Sequence, residues 1–439
     1  MLKRKIYDDL MRWKSSAHRK CLMLYGARQV GKTYIVREFG KREYQSFIEL
    51  NFIESPDLKS VFDGSLSAET IYKRITASID GARLIPGDTL VFLDEIQVCG
   101  NARTAIKFLS EDGRYDVISS GSLLGLTYAE DADTNVEEVE SLPVGYEDFL
   151  TMYPLDFEEF LWAMGVSSSQ ISTLKDYFNT VTNPPEIVNR KYIELFREYI
   201  VVGGMPEAVA SFADEKDYTK VNEIQRSILQ TYRDDISKHA KGAEKTKVRA
   251  CYDAIPRQLA KELKKFQYAT VEKGKTSKKY GGSVQWLKDS AVVDACYNIG
   301  EPYLPLKANE KEEQFKLYIN DSGLLCTMYG FETKKGILNN TLKGSAKGGI
   351  YENVIAGGLV RKGYSLHYYK PDDNHEIEFL IEKEGDVVPI EVKAGNNSTV
   401  SLNSFIERYD PHVAYKLIDG GVGSKGALQV LPHYMFMFI

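Results

Sequence analysis

Four short apolar runs mark the first 120 residues, at 21–25, 47–52, 89–93 and 116–119. Each has strand length and no helical period, as buried parallel strands do. Between them the apolar positions recur at helical spacing, over 33–39, 68–79 and 101–110. This alternation predicts an α/β fold, a parallel sheet with helices on both faces. After about Gly145 the pattern changes. Residues 157–238 read as successive amphipathic helices, broken at Gly203-Gly204 and Pro206, which suits a hinge or a sharp turn. Residues 241–329 mix short helices with Lys/Gly/Ser turns, and 292–297 read as a strand. The last hundred residues return to α/β texture, with a helix expected at 349–362 and strands at 366–369, 377–382 and 387–393. The chain therefore divides into an α/β core (1–150), a helical part (151–240), a basic part (241–335) and an α/β tail (336–439).

Composition adds exclusions. With 439 residues, 43% hydrophobic and 27% charged, the chain is neither disordered nor fibrous. No run approaches the roughly 18–20 apolar residues that span a bilayer, so no membrane partner is expected. The N-terminus, MLKRKIYDDLMRWK, starts basic but carries no apolar run, so no secretory leader is expected. Five widely spaced cysteines without a CxxC argue against a disulfide framework and a zinc ribbon, and a cytoplasmic location is expected. The net charge of −6 hides an asymmetry. Residues 111–159 hold 14 acids and one base, and residues 238–288 hold 14 bases and four acids. The second segment is the one that bears on nucleic acid.

The sharpest local signal is Gly26-Ala27-Arg28-Gln29-Val30-Gly31-Lys32-Thr33, which fits GxxxxGK[ST] between an apolar strand and a helix. Its glycines let backbone N–H groups curl towards phosphate, and the helix N-terminus adds partial positive charge. The motif predicts ATP as ligand, Lys32 on the β- and γ-phosphates and the Thr33 hydroxyl on Mg2+. A matching acidic strand, 89–95, delivers Asp94 to hold Mg2+ and Glu95 as general base for an attacking water. The next strand ends in Ser119-Ser120-Gly121-Ser122, where Ser120 first, or Ser122 second, could touch the γ-phosphate or the water, a plain Ser/Gly turn being the alternative. Arg28, Arg103 and Arg114 are all candidates for a transition-state arginine, and sequence does not rank them.

Two further constellations lie downstream. Glu352 is placed on a helix, Glu378 in a strand, and Glu391 with Lys393 on one face of the following strand, since residues two apart share a face. Oxygen donors of this kind suit Mg2+ or Mn2+, with Lys393 positioning water or stabilising charge. An exposed strand face of Glu/Lys pairs is the plainer reading. In the basic part, Lys264, Lys265, Lys275, Lys278 and Lys279 lie near Tyr268 and Tyr280, and helix, turn, helix and strand suggest a winged helix. Such lysines would grip DNA phosphates, or form a solvated face or a docking surface for the acidic segment. The stretch 129–140 reads as a solvated acidic loop.

The loop Leu24-Tyr25-Gly26-Ala27-Arg28-Gln29-Val30-Gly31-Lys32-Thr33 resembles that of the prokaryotic AAA-type ATPases beginning GARQVGKT. So do Val91 to Gln97, Pro154-Leu155-Asp156-Phe157-Glu158-Glu159-Phe160-Leu161, Val202-Gly203-Gly204-Met205-Pro206-Glu207-Ala208 and Asp321-Ser322-Gly323-Leu324-Leu325. The tail resembles the domain of unknown function that follows this ATPase, and its acid, hairpin and Glu-x-Lys have the form of the PD-(D/E)xK nuclease core. Glu378 stands where that core usually has the shorter aspartate. The resemblance implies an AAA-type P-loop ATPase core (1–150), a helical lid (151–240), a winged helix (241–335) and a restriction-endonuclease-like tail (336–439). Many relatives carry Ser-Gly-Arg before the PLxFEEF stretch, whereas this chain has no arginine there. The expected protein hydrolyses ATP with Mg2+ and associates with DNA, its tail cutting or gripping the strand. A regulatory ATPase switch with an inactive, protein-binding tail is the alternative, a small-molecule kinase is less suited, and a homo-oligomer is left open.

Overall fold

In the computed structural model, residues 2–121, 145–239, 243–274, 277–395 and 399–439 are described. They compact into two units, one built on Arg4–Tyr153 and the other on Pro154–Lys288 and Val292–Ile439.

The first unit opens with helix α1 (Ile6–Ser15) and then alternates β1 (Cys21–Tyr25), α2 (Lys32–Glu43), β2 (Ser46–Asn51), α3 (Ala68–Ser78), β3 (Thr89–Asp94), α4 (Gly100–Asp112), β4 (Asp116–Gly121) and β5 (Glu147–Thr151). The strands form one sheet in the order β2-β3-β4-β1-β5, all pairs parallel. Strands β3 and β4 are buried throughout, which is why β3 reads as an unbroken apolar run from Leu90 to Leu93. Because β4 lies between β1 and β3, the carboxyl end of β3 faces the loop after β1 across one intervening strand. Ligands of open parallel sheets bind at these carboxyl ends.

The second unit begins with five helices, α5 (Phe157–Ala163), α6 (Ser168–Asn179), α7 (Glu186–Val202), α8 (Pro206–Glu215) and α9 (Tyr218–His239). Asp156 opens α5 with a reciprocal cap, accepting from the Glu159 N–H while the Glu159 carboxylate accepts from its own. Helices α10 (Ala243–Leu259), α11 (Tyr268–Val271) and α12 (Ser277–Asp289) precede a hairpin of β6 (Val293–Ile299) and β7 (Glu310–Ile319). Then come α13 (Ser322–Tyr329), α14 (Phe331–Leu338), α15 (Ser345–Arg361), β8 (Leu366–Tyr369), β9 (Ile377–Lys383), β10 (Asp386–Lys393), α16 (Val400–Tyr409), β11 (Ala414–Ile418), β12 (Gly423–Lys425) and β13 (Leu428–Pro432).

The hairpin does not stand apart as the wing of a separate domain. Strand β6 pairs with β8, so that one eight-stranded sheet runs β12-β13-β11-β10-β9-β8-β6-β7. The divisions expected at 240 and 335 therefore fall inside a single compact unit.

The downstream family-like stretches converge in this unit. Leu155 donates its N–H to the Gly204 carbonyl at 2.7 Å, and its own carbonyl accepts from the Tyr199 hydroxyl. Asp321 caps α13 through the Leu324 N–H and also accepts from the Gly204 N–H at 2.5 Å. A Cβ on Gly204 would lie 2.1 Å from the Leu155 carbonyl oxygen, and one on Gly203 2.2 Å from an Asp321 oxygen. The glycine pair read as a hinge is thus buried and wedged between Leu155 and Asp321. Close backbone approach, rather than freedom to move, requires glycine here.

Candidate active site

The loop between β1 and α2 has the backbone a phosphate cradle needs. Gly26 has φ +148° and no room for a side chain, because a Cβ would sit 2.1 Å from the Met152 carbonyl oxygen. Gly31, at φ +96°, turns the chain into α2. Gln29 takes a left-handed conformation, φ +63°, as a non-glycine residue. Lys32, 9% exposed, donates from Nζ to the Gly26 and Ala27 carbonyls, each at 2.9 Å. Its ammonium thus lies over the loop on the backbone of the residues that would curl around phosphate. Arg4 braces the loop, donating to the Val30 carbonyl at 3.2 Å and to the Tyr153 carbonyl at 2.6 Å.

Across the loop, Asp94 ends β3 with its carboxylate 3.0 and 3.2 Å from the Thr33 hydroxyl. Asn51 donates to the same carboxylate at 2.9 Å, and the Ser120 hydroxyl donates to it as well. Burial pushes the Asp94 carboxyl up from its ordinary value, the Ser120 and Thr33 hydrogen bonds pull it down, and Glu95 and Glu49 push it up again. A hydroxyl and a carboxylate in contact at a helix N-terminus form a hard-oxygen donor set that fits Mg2+. Ser120 faces Asp94 here, and Ser122 lies outside the described residues. Glu95 sits at φ +57°, a conformation that non-glycine residues adopt at some cost and that clusters at functional sites. Gln97 donates to its carboxylate at 2.5 Å.

The three arginines part company. Arg103 pairs with buried Glu147 at the start of β5, and Arg114 pairs with Asp112 and Glu69 just before β4. Both lie at the amino ends of the strands, opposite the loop. Arg28 is within the loop itself.

Residues 18–161 match an AAA domain. The matched span holds the loop, Thr33, Asn51, Asp94, Glu95 and Ser120, with Arg4 before it. Residues 193–335 match a domain of unknown function (DUF8612), and residues 347–426 another (DUF4143). No curated protein matches the sequence. Among solved structures, the Walker-type ATPase of Pyrococcus abyssi shares 13% identity, with 75% of this chain and 96% of that chain covered at a TM-score of 0.46. The Aeropyrum pernix ORC1 protein in complex with DNA shares 12% over 77% and 91%, at 0.28. Drosophila ORC bound to DNA shares 11% over 74% and 85%, at 0.25.

In the second unit, β9 and β10 bring Glu378, Glu391 and Lys393 together. The Lys393 ammonium lies 3.1 Å from each carboxylate. Burial raises the Glu378 carboxyl, the Lys393 charge opposes that, and Glu352 and Glu391 add to it. One Glu391 oxygen is buried without a hydrogen-bond partner. Glu352, on α15, is held instead by Lys264 at 2.8 Å, with Lys316 at 3.6 Å and the Tyr318 hydroxyl at 3.3 Å. Lys316 also meets Glu376 at 2.6 Å, and Lys370 meets Glu376 at 3.4 Å. The donors expected to face a metal are therefore engaged by ammonium groups. Among the described residues, no three His, Cys, Asp or Glu side chains gather as a metal site. As arranged, Glu352, Glu378 and Glu391 each lie against a lysine ammonium.

Sequence reading missed Asn51, Gln97, Lys316 and Glu376. Only Lys316 left a local signal, one ammonium inside the apolar run Phe315–Ile319. The lysines expected on DNA are partly engaged elsewhere. Lys264 is on Glu352, Lys279 is 2.6 Å from Glu272, and Lys265 is half-buried. Lys275 and the Lys278 side chain lie outside the described residues. Tyr280 is buried, with its hydroxyl on Glu272, and Tyr268 packs against Phe266.

Proposed function

We propose that the chain binds ATP at Gly26–Thr33 and hydrolyses it. The observation that carries this reading is the contact between the Thr33 hydroxyl and the Asp94 carboxylate beside the Lys32 ammonium. Thr33 and Asp94 would hold Mg2+, which offsets phosphate charge when bound. Lys32 would leave the loop carbonyls for the phosphates, Asn51 and Ser120 fix the Asp94 carboxylate, and Glu95, oriented by Gln97, takes the proton of the attacking water. Of Arg28, Arg103 and Arg114, Arg28 is the one carried by the loop itself, and it is our candidate to serve the transition state. A magnesium-dependent ATPase assay with a parallel nucleotide-binding measurement tests this. Lys32→Ala should lose binding, while Glu95→Gln should keep binding and lose at least a hundredfold in turnover. Turnover surviving Glu95→Gln removes the assignment.

The tail has two readings, metal-dependent cleavage of DNA and a non-cleaving interaction domain. The lysines on Glu352 and Glu376 favour the second. Strand nicking by the full chain with Mg2+ or Mn2+, abolished by Lys393→Ala, would restore the first. DNA association through Lys264, Lys265, Lys275, Lys278 and Lys279 rests on the charge of the basic segment. It should show as an affinity that falls steeply with salt.

A further inference from the structure

A groove of about 670 Å3 lies within the second unit and shares no lining residue with the carboxylate cluster. Arg226, Arg233 and Arg257 line it, with one acid, Asp253, and the ring of Tyr329 beside Pro256. The two arginines of α9 are seven residues apart and so share a helix face, and α10 supplies Arg257. Arg233 is held by Asp253 at 2.9 Å, and Arg257 donates to the Thr270 carbonyl at 2.5 Å. The Tyr329 hydroxyl donates to the Pro256 carbonyl at 2.6 Å, which fixes the ring on the wall. Neither Arg226 nor Arg257 lies in an ion pair with a carboxylate among those the structure shows. The lining thus carries three guanidinium groups against one carboxylate, around a volume in the range of small-molecule sites. Planar, always-charged guanidinium forks match phosphate oxygens. An aromatic and apolar wall beside them suits a base or sugar.

We propose that this groove is a phosphate-binding site separate from the loop at Gly26–Thr33. Arg226 and Arg257 grip the phosphates, and Asp253 holds Arg233 in place while opposing the ligand's charge. The phosphates come either from a free nucleotide or from the backbone of a single strand, since both present the same oxygens.

The test is calorimetric titration of the full chain in a Lys32→Ala background at low salt. The probes are inorganic pyrophosphate, ADP and a single-stranded DNA 12-mer. At least one probe should bind, and Arg226→Ala with Arg257→Ala should weaken it at least tenfold. Asp253→Asn should tighten it severalfold, an effect that damage to the fold would not produce. Binding of pyrophosphate or ADP assigns a free nucleotide, and binding of the 12-mer alone assigns a strand. The proposal is overturned if no probe binds, if the arginine variants bind as the parent does, or if Asp253→Asn weakens binding as they do. Binding that persists unchanged in the arginine variants belongs to another site, and that outcome leaves the ATP reading intact.

Discussion

Replacing Lys316 by methionine tests whether an ammonium holds the tail's acids together. Lys316 is 1% exposed, lies 2.6 Å from Glu376 and 3.6 Å from Glu352, and sits 4.8 Å from the centre of the Tyr368 ring. Burial alone would raise the Glu376 carboxyl, yet Lys316, with Lys264 and Lys370, pulls it down to about 2 from an ordinary 4.5. At about 1.4 kcal/mol per pH unit, a shift of that size corresponds to roughly 3 kcal/mol of stabilisation shared among the lysines. Methionine fills similar volume but leaves Glu376 and Glu352 facing each other with less compensation, a change that costs about 3–5 kcal/mol in buried pairs. The sign with pH follows. A lowered folded value stabilises the protein above the unfolded value of about 4.5, and that stabilisation fades as pH falls towards 2. Without Lys316 the Glu376 carboxyl rises, so the variant recovers stability on acidification from pH 7.5 to 5. Urea unfolding followed by circular dichroism should show a loss of about 3 kcal/mol at pH 7.5 and a clearly smaller loss at pH 5. A loss below about 1 kcal/mol at pH 7.5, or an equal loss at both, would refute the reasoning.

Three other outcomes follow from the described contacts. Gly204→Ala should cost about 3 kcal/mol or more, because its Cβ would meet the Leu155 carbonyl oxygen at 2.1 Å. A melting temperature within 2 °C of the parent by differential scanning calorimetry would contradict that wedge. His433 is buried against Tyr351, with ring centroids 4.6 Å apart, and burial pushes its imidazole down to about 3. The unfolded chain takes up that proton near pH 6.5, so the folded state loses stability between about pH 6.5 and 3, and His433→Phe should flatten that slope. Parallel slopes for parent and variant in urea titrations at pH 7 and 4.5 would count against it. Arg28→Ala should slow ATP turnover at least tenfold, whereas Arg114→Ala, whose partners Asp112 and Glu69 lie opposite the loop, should leave it unchanged. Steady-state rates in the reverse order would reassign the arginine.

What was legible in the sequence was local. The spacing Gly26–Thr33 and the run ending in Asp94-Glu95 carry their geometry in adjacent residues, so loop, strand and helix follow from residue order alone. The tail's helix, hairpin and Glu-x-Lys pattern were readable for the same reason. Apart from Gln97, two residues from Glu95, what escaped depends on residues far apart in the chain. Asn51 reaches Asp94 only because β2 and β3 pair in parallel register. Lys264 reads among the lysines expected on DNA, and Lys316 is not singled out, because only folding sets them against Glu352 on α15. Gly203-Gly204 looked like a breaker because sequence shows the missing side chains but not Leu155 and Asp321, which need them missing.

The pairing of β6 with β8 also governs how this chain can be divided. Strand β6 has β7 on one side and β8 on the other, and these partners are close and far in sequence, respectively. A fragment ending near 335 would keep the hairpin but strip one edge of β6 of its hydrogen-bond partners. Such a bare edge is a template for pairing with another chain. A fragment starting there would leave β8 equally exposed. Recombinant pieces meant to isolate the tail or the basic part should therefore begin before Val293 and run through Pro432, or the first property they display will be self-association.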